Sequence, residues 1–460
     1  MSVKRFHSVA VKTISPMLRS SLPVLFLFLL YPAAAVGQES AGESRSGVSS
    51  QGEPAPMPAM TPLENLLREA EQNNPSIRAA RQEWQAAQQV PTQVSTLPDP
   101  QFLVQHSSVG SPRPFAGFTN SDMAYLGLGV SQDIPYPGKL RLRGEIAKRE
   151  ADVLQQRYES TRRSVLAAAK SAYFQLGYLS RTLSILESNG ELLNQAEQAA
   201  DARYRSGMGN QHDLLQAQLE RTKLLREITM NHLAVAKLQA QFKQLLNRPQ
   251  SSPDIEPTEP TETPLDYSFE ELLSAAKTHN PELAGAETMV AKQTLQRNLA
   301  QKDFYPDFNV QYLWQRTDPM KFRANYMLSF GIRIPIYRGR KQNPALAQAE
   351  IELNQSRSAF EAQTQQIAFD LRTEYEIAQK KAELLTIYRE GLLPQARGAF
   401  ESGVAAYQNN RQDFQALLAA LLDVQRLEEE YWQSLAERAT ALARMEELTG
   451  LSLLEERAKK

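Results

Sequence analysis

Residues 129–153 read GVSQDIPYPGKLRLRGEIAKREADV, and residues 331–355 read GIRIPIYRGRKQNPALAQAEIELNQ. Each begins as a β-strand, passes through a hinge of proline and glycine, and continues as charged, Ala-rich, helix-favouring sequence. In the first hinge Pro135 and Pro137 have no N–H to give a strand partner, and Gly138 tolerates an unusual φ. In the second, Pro335 and Gly339 take those roles and Arg338 replaces the second proline. A junction written twice predicts an internal repeat.

The register of that repeat extends outward in both directions. Leu66, Leu67, Asn74 and Pro75 fall on Leu272, Leu273, Asn280 and Pro281; LPDPQFLVQ from Leu97 falls on YPDFNVQ from Tyr305; YRSG ending at Gly207 falls on FESG ending at Gly403. The halves close with FKQLLNRP and RMEELTGL. The expected organisation is a first repeat over 61–247, a linker over 248–266 whose prolines forbid a continuous helix or central strand, a second repeat over 267–452, and a tail over 453–460. Each repeat reads as helix (about 61–95 and 268–302), β-hairpin (100–133 and 305–335), very long helix, tip (203–213 and 400–413) and returning helix.

The strands alternate with period 2. Phe308, Val310, Tyr312 and Trp314 alternate with Asn309, Gln311 and Gln315, while Leu328, Phe330 and Ile332 alternate with Met327, Ser329, Gly331 and Arg333. In the first repeat Ala124, Leu126, Leu128 and Val130 do the same, with 102–108 a weaker companion. One face is therefore apolar and the other polar, over the ten or so residues that cross a bilayer when tilted. The apolar set of the second repeat (Phe308, Val310, Tyr312, Trp314, Leu328, Phe330, Ile332) is expected to face lipid.

The long helices carry a heptad stripe instead: Val165, Ala169, Ala172, Leu176, Leu179, Leu183, Leu186 and Leu193, then Leu371, Tyr375, Ala378, Ala382, Leu385 and Leu392. From Arg143 to Tyr204 no proline interrupts, which at 1.5 Å per residue allows roughly 90 Å of helix.

The N-terminus supplies a compartment. Lys4, Arg5, Lys12 and Arg19 precede LPVLFLFLLY and the small residues PAAAVG, the layout of a secretory signal peptide over 1–35 whose apolar run is too short to span a bilayer. A retained signal anchor is the other reading. Residues 36–60, rich in Ser, Gly and Pro, read as a flexible leader.

Composition narrows the function classes. With 51 Lys+Arg against 52 Asp+Glu there is no basic excess for a nucleic-acid partner, and the absence of cysteine removes disulfides, thiolate metal sites, a Cys nucleophile and a lipidated N-terminal cysteine. No phosphate loop, HExxH, GxSxG or metal-ligand cluster appears, so no catalytic residue, metal site or cofactor is assigned. His212 beside Met208 at the first tip reads as polar surface, with transient contact to a soft metal ion the alternative.

Four two-faced strands have open edges, and an unpaired edge in hydrocarbon costs several kcal/mol per group. Bacterial barrels begin at eight strands, so the chain must associate: two copies give a barrel filled with side chains, three give twelve strands and a wet bore. Tyr136, Tyr337, Phe304 and Tyr305 then sit where the strands leave the membrane, as a girdle or as core filling.

The duplicated unit, the IPYPGK and IPIYRG junctions and the YRSGMGNQHDLLQAQ turn together resemble the outer membrane efflux proteins, the TolC-like outer-membrane factors, from residue 61 to about 452. The resemblance implies a mixed α and β membrane protein: a homotrimer whose 12-stranded outer-membrane β-barrel, four strands per chain, continues into a long periplasmic α-helical barrel. It implies outer-membrane lipid around the barrel, and a periplasmic adaptor and an inner-membrane pump as partners. It further implies that the tips, with Arg205, Ser206, Gly207, Ser402 and Gly403, meet the adaptor and close the channel at rest. Gly207 and Gly403 fit helix C′ positions. Asp213 and Asp413 either ring the constriction or N-cap the returning helices, and the second tip is about four residues longer than the first. A secretion conduit would use the same channel, and an exported coiled-coil protein without a pore is the rival from another class. Metal ions and drugs are equally open as cargo.

Overall fold

A computed structural model describes residues 62–108, 124–207, 209–259, 261–316, 324–409 and 411–454. The signal and leader regions, Met208, the tail beyond 454 and both hairpin turns fall outside them.

The first repeat opens with three helices, α1 (Leu63–Asn73), α2 (Pro75–Ala87) and α3 (Val90–Ser95), where sequence reading expects one. The break lies at Asn74 because the residue before a proline is driven out of the helical region, and Asn74 adopts ψ 125°. Its side-chain oxygen then caps α2 by accepting from Ser76 N and Ile77 N (2.9 and 3.3 Å). The second repeat repeats the break for the same reason, giving α6 (Phe269–His279) and α7 (Pro281–Lys302) around Asn280.

Strands β1 (Gln101–Ser107) and β2 (Tyr125–Ile134) form one antiparallel hairpin, β3 (Asp307–Arg316) and β4 (Ala324–Arg333) the other. They join into a single sheet of order β1-β2-β3-β4, with Leu128 opposite Trp314 and Gly129 opposite Leu313. The β2–β3 seam is close. A Cβ on Gly129 would lie 2.6 Å from the Tyr312 carbonyl oxygen and 2.9 Å from Leu313 Cδ1, so only glycine fits there.

The first long helix, α4 (Lys139–Arg205), holds 67 residues, about 100 Å. It starts from Gly138 at φ 92°, the conformation expected of that glycine, and returns through α5 (Gln211–Leu245). The second is divided: α8 (Gln342–Ile387), a π-helical turn (Tyr388–Leu392) and α9 (Leu393–Gln408), before α10 (Phe414–Thr449) returns. Pro394 accounts for the division, since it cannot donate to the Glu390 carbonyl and its ring crowds that oxygen. Leu392, expected on the buried stripe, is the last residue of this widened turn and is 37% exposed. Ala169, Ala172, Leu176, Leu186, Leu193, Leu371, Ala378 and Leu385 of the heptad stripes are buried as expected.

Helices α5, α4, α10 and α8 pack side by side in that order, with α7 against α4 and α8. Among the described residues three apolar clusters form: one per repeat around the short helices, centred on Leu66, Leu176 and Phe242 and on Leu272, Leu371 and Met445, and one toward the tips centred on Leu193, Leu224 and Phe414. An elongated chain cannot gather a single core, so each segment of the helical wall buries its own apolar stripe.

Candidate channel wall, junctions and tips

One face of the sheet carries the apolar parity, and that face is exposed. Phe102, Val104, Leu126, Leu128, Tyr312, Trp314, Tyr326, Leu328, Phe330 and Ile332 are all exposed, Phe102 at 82% and Phe330 at 73%, and Phe308 stands at the margin. Val310 lies half-covered between its register neighbours Gln132 and Phe330. The opposite parity is polar except for one cross-strand row, Leu103, Gly129, Leu313 and Met327. Asn309 Nδ2 donates to Ser131 Oγ and Asp133 Oδ1, both at 2.9 Å, across the seam between hairpins. Leu313 breaks this polar row and is fully buried, filling the hollow left by Gly127 and Gly129. Its signal in the sequence is an apolar residue on the polar parity matched by two glycines on the partner strand, a pairing that needs the register to be seen.

The two strand-to-helix junctions are built differently. At the first, Lys139 is 3% exposed and its ammonium bridges Asp303 (3.1 Å) and Asp307 (3.0 Å), while Asp307 also accepts the Tyr136 backbone N–H at 2.8 Å. Tyr136 stacks on Tyr305 with ring centroids 4.6 Å apart, and Lys302 lies over both rings. Pro135, Pro137 and Gly138 thus feed a chain end tied across the seam to the second repeat. The motifs alone do not reveal this triad; its trace is the PGK sequence and the paired acids of DFYPD. At the second junction, Ile336, Tyr337, Arg338, Gly339 and Arg340 are exposed, and Gly339 does not adopt positive φ. Here the polar chain Arg338, Gly339 and Arg340 makes its turn by backbone bonds to Tyr337 O, from Arg340 N at 3.1 Å and Lys341 N at 2.9 Å.

At the first tip Gly207 takes φ 73°, as a C′ glycine should, and Ser206 Oγ donates to Arg203 O while Arg205 pairs with Asp201 at 2.9 Å. The second tip corrects two expectations. Gly403 is not at C′: α9 runs past Ser402 and Gly403 to Gln408, with Gly403 buried where an added Cβ would lie 3.6 Å from Leu417 Cδ1, and with Tyr407 buried beyond it. The connections 206–210 and 409–413 are consequently equal in length, the additional residues lengthening the helix rather than the turn. Asp413 caps α10, accepting from Ala416 N at 2.9 Å. Asp213 is not an N-cap, since Asn210 holds that position and Asp213 sits in the first turn of α5, where a carboxylate favours the helix dipole.

The tips are also joined to each other. Arg203 lies over the Tyr407 ring at 4.7 Å and donates to its carbonyl at 3.3 Å, Tyr407 packs edge-on against Phe414 at 5.8 Å, and His212 meets Gln415 at 2.9 Å. Burial raises the Tyr407 hydroxyl above its ordinary value, with Arg203 opposing and Asp213 reinforcing. Among the described residues no helix is long and apolar enough to cross a membrane, and no group of three or more His, Asp or Glu side chains could hold a metal ion.

The sequence profile of the outer membrane efflux protein family matches residues 66–248 and 272–451, one match per repeat. The chain is a member of the outer membrane efflux protein family. Its fold is similar to that of the outer-membrane channel OprN (TM-score 0.74, 18% identity, covering 84% of this chain and 89% of that one). It is also similar to the outer membrane protein VceC from Vibrio cholerae (0.72, 16%, 84% and 96%) and to the open state of the MtrE outer membrane channel of Neisseria gonorrhoeae (0.70, 17%, 84% and 88%). At these identities the likeness speaks to fold. No curated protein matches the chain. Membership places this efflux protein among channels rather than enzymes, and its mostly helical fold with a small antiparallel sheet is the architecture of a barrel joined to a helical tunnel.

Proposed function

We propose that three copies of the chain form the outer-membrane channel of a tripartite efflux system, a passive path from an inner-membrane pump and periplasmic adaptor to the outside. The observation that carries this is the sheet: four antiparallel strands with one apolar and one largely polar face, β1 and β4 each left with an open edge. An open edge in lipid is prohibitively costly, and pairing β4 of one copy with β1 of the next satisfies both. The helical wall supports the same closure, since its flanking helices carry exposed apolar residues, Leu215, Leu219 and Leu233 on α5 and Ile351, Phe369 and Ile387 on α8.

On this reading residues 1–35 export the chain, 36–60 form a leader, and Phe308, Val310, Tyr312, Trp314, Leu328, Phe330 and Ile332 meet outer-membrane lipid while α4, α5 and α8 to α10 reach into the periplasm. Arg205, Ser206, Gly207, Ser402 and Gly403 contact the adaptor, and threefold symmetry would triple the charge of Asp413 and Asp213 at the constriction. The test is the protein purified from membranes: trimers by native mass spectrometry in detergent and stepwise single-channel conductance in planar bilayers are expected. A monomer soluble without detergent would overturn the proposal.

A further inference from the structure

The first junction is completed by the second repeat, and the second junction has no such completion within its own chain. Lys139 follows Gly138 at the start of α4 and reaches Asp307, the first residue of β3, the strand beside β2. In the repeat register Arg340, which follows Gly339, corresponds to Lys139, and Asp99, two residues before β1, corresponds to Asp307. Tyr136, stacked on Tyr305, corresponds in the same way to Tyr337 and Leu97. All four of these counterparts are exposed, Tyr337 at 70% and Leu97 at 48%. Among the described residues neither Arg340 nor Asp99 makes an ion pair.

The sheet ladder gives the same correspondence without the motif. In the second hairpin Asp307 stands opposite Arg333, immediately ahead of Ile334 and Pro335. In the first, Gln101 stands opposite Ser131, and two places further back Asp99 comes level with Asp133, immediately ahead of Ile134 and Pro135. The Pro98 carbonyl, accepting from Gln132 Nε2 at 2.7 Å, holds this segment beside the end of β2. Asp307 thus has Lys139 and Arg333 near it, whereas Asp99 is level with another carboxylate.

We propose that the second junction is completed by the next copy of the chain: Arg340 pairs with Asp99 of that copy and Tyr337 rests on its Leu97, as Lys139 and Tyr136 do with Asp307 and Tyr305 inside one chain. This arrangement presupposes the trimeric channel proposed above and fixes the register of its three seams. In the β2–β3 seam Val130 opposes Tyr312 and Asp133 opposes Asn309. Carried over to the seam between copies, that register sets Phe330 opposite Val104 of the next copy and Arg333 opposite its Gln101. Phe330 and Val104 are both exposed apolar residues, at 73% and 68%. A slip of one residue would exchange the apolar and polar faces of the added strand, but a slip of two keeps them. Alternation is blind to that second slip. The junction charges are not, since two residues carry Asp99 about 6–7 Å along the seam from Arg340. The pair therefore sets the stagger of the barrel, and with it the strand tilt and the bore.

The absence of cysteine makes the register readable by disulfide trapping. In the full chain purified from membranes, Phe330→Cys combined with Val104→Cys is expected to give covalent trimers under mild oxidation, because directly opposed positions lie within disulfide reach. Leu328→Cys or Ile332→Cys combined with Val104→Cys, two places off and about 7–8 Å apart, should give none. Arg340→Ala is expected to change little, as for any exposed pair, so the charge test is reversal. Asp99→Arg and Arg340→Asp each set like charges together and should lower the temperature at which the trimer dissociates in SDS. The double reversal should recover most of that drop. Cross-linking at a slipped pair, cross-linking at none of them, or no recovery in the double reversal overturns the inference even where trimers form and conduct. A chain that stays monomeric overturns the proposed channel as well.

Discussion

The two repeats share one clamp and differ in nearly everything attached to it. In the first, Asn74 caps α2 with its oxygen and reaches with Nδ2 to the Leu245 carbonyl at 2.9 Å; in the second, Asn280 caps α7 and reaches the Leu448 carbonyl at 3.0 Å. Each repeat thus fastens its beginning to its end through one buried amide that satisfies two helix termini at once. Around this constant part the first repeat is internally tied, with an unbroken long helix and a buried Lys139, while the second has an exposed junction, a divided helix and a largely accessible β4. Duplication supplies two copies of a scaffold, and the second copy keeps the more open junction and the divided long helix.

The junctions give the largest expected break in this comparison. Lys139→Ala leaves two carboxylates facing one another without their cation; with both acids partly solvated, a loss of about 2–3 kcal/mol is expected in denaturant unfolding followed by helical circular dichroism. Arg340→Ala at the exposed second junction should stay within about 0.5 kcal/mol. Equal losses at the two sites would mean that the first junction is not held by its ion triad.

The clamp should respond equally in both repeats, which sharpens what is shared. Asn74→Ala and Asn280→Ala are each expected to cost about 2 kcal/mol, combining a lost cap with an orphaned buried carbonyl. Asn→Asp at either position keeps the capping oxygen and loses the amide donor, so about half of that cost should remain. A large loss at one asparagine and none at the other would make the equivalence only geometric.

Much of this was legible in advance because it obeys short periods. The strand alternation from Phe308 to Trp314 gave the two-faced sheet, Pro135 and Gly138 gave the first junction, and the match of Asn74–Pro75 with Asn280–Pro281 gave the repeat register, though neither the clamp nor the helix break at those residues. Gly403 misled because a Ser-Gly pair signals a helix end only where nothing packs on it, and Leu417, which does pack on it, stands on the next helix across the tip. Lys139, Leu313 and the Arg203–Tyr407 contact were hidden for a related reason: each depends on a partner more than a hundred residues away.

A smaller difference lies at the close of each repeat. Arg248 grips Glu69 through two parallel bonds of 2.6 Å, whereas the second repeat has Leu451 at the corresponding place, packed against its apolar cluster. The fork geometry is what a lysine cannot copy, so Arg248→Lys is expected to cost about 1 kcal/mol. Arg248→Leu, which borrows the solution of the second repeat, should recover part of it if α1 can repack. Equal stability of the lysine variant and the parent would show that only the charge matters.

The seam between repeats carries the smallest and most conditional effect. Gln425 of α10 donates to Glu429 at 2.9 Å and to Glu227 of α5 at 3.3 Å, so one amide is shared between carboxylates of the two halves. Burial holds the Glu429 carboxyl above its ordinary value of 4.5; the Gln425 amide opposes this, and the nearby charges of Glu227 and Glu430 add to it. A carboxyl with a raised pKa binds its proton more tightly in the folded chain than in the unfolded one, so its ionisation favours unfolding. Its contribution is neutral well below pH 4.5 and becomes destabilising as pH rises from there through the raised folded value. Glu429→Gln should therefore match the parent in stability at acidic pH and exceed it at neutral pH, read as a difference in denaturant midpoint at the two conditions. If the variant is weaker at neutral pH, the ionised carboxylate is supporting the seam, and the two halves are joined there by charge rather than in spite of it.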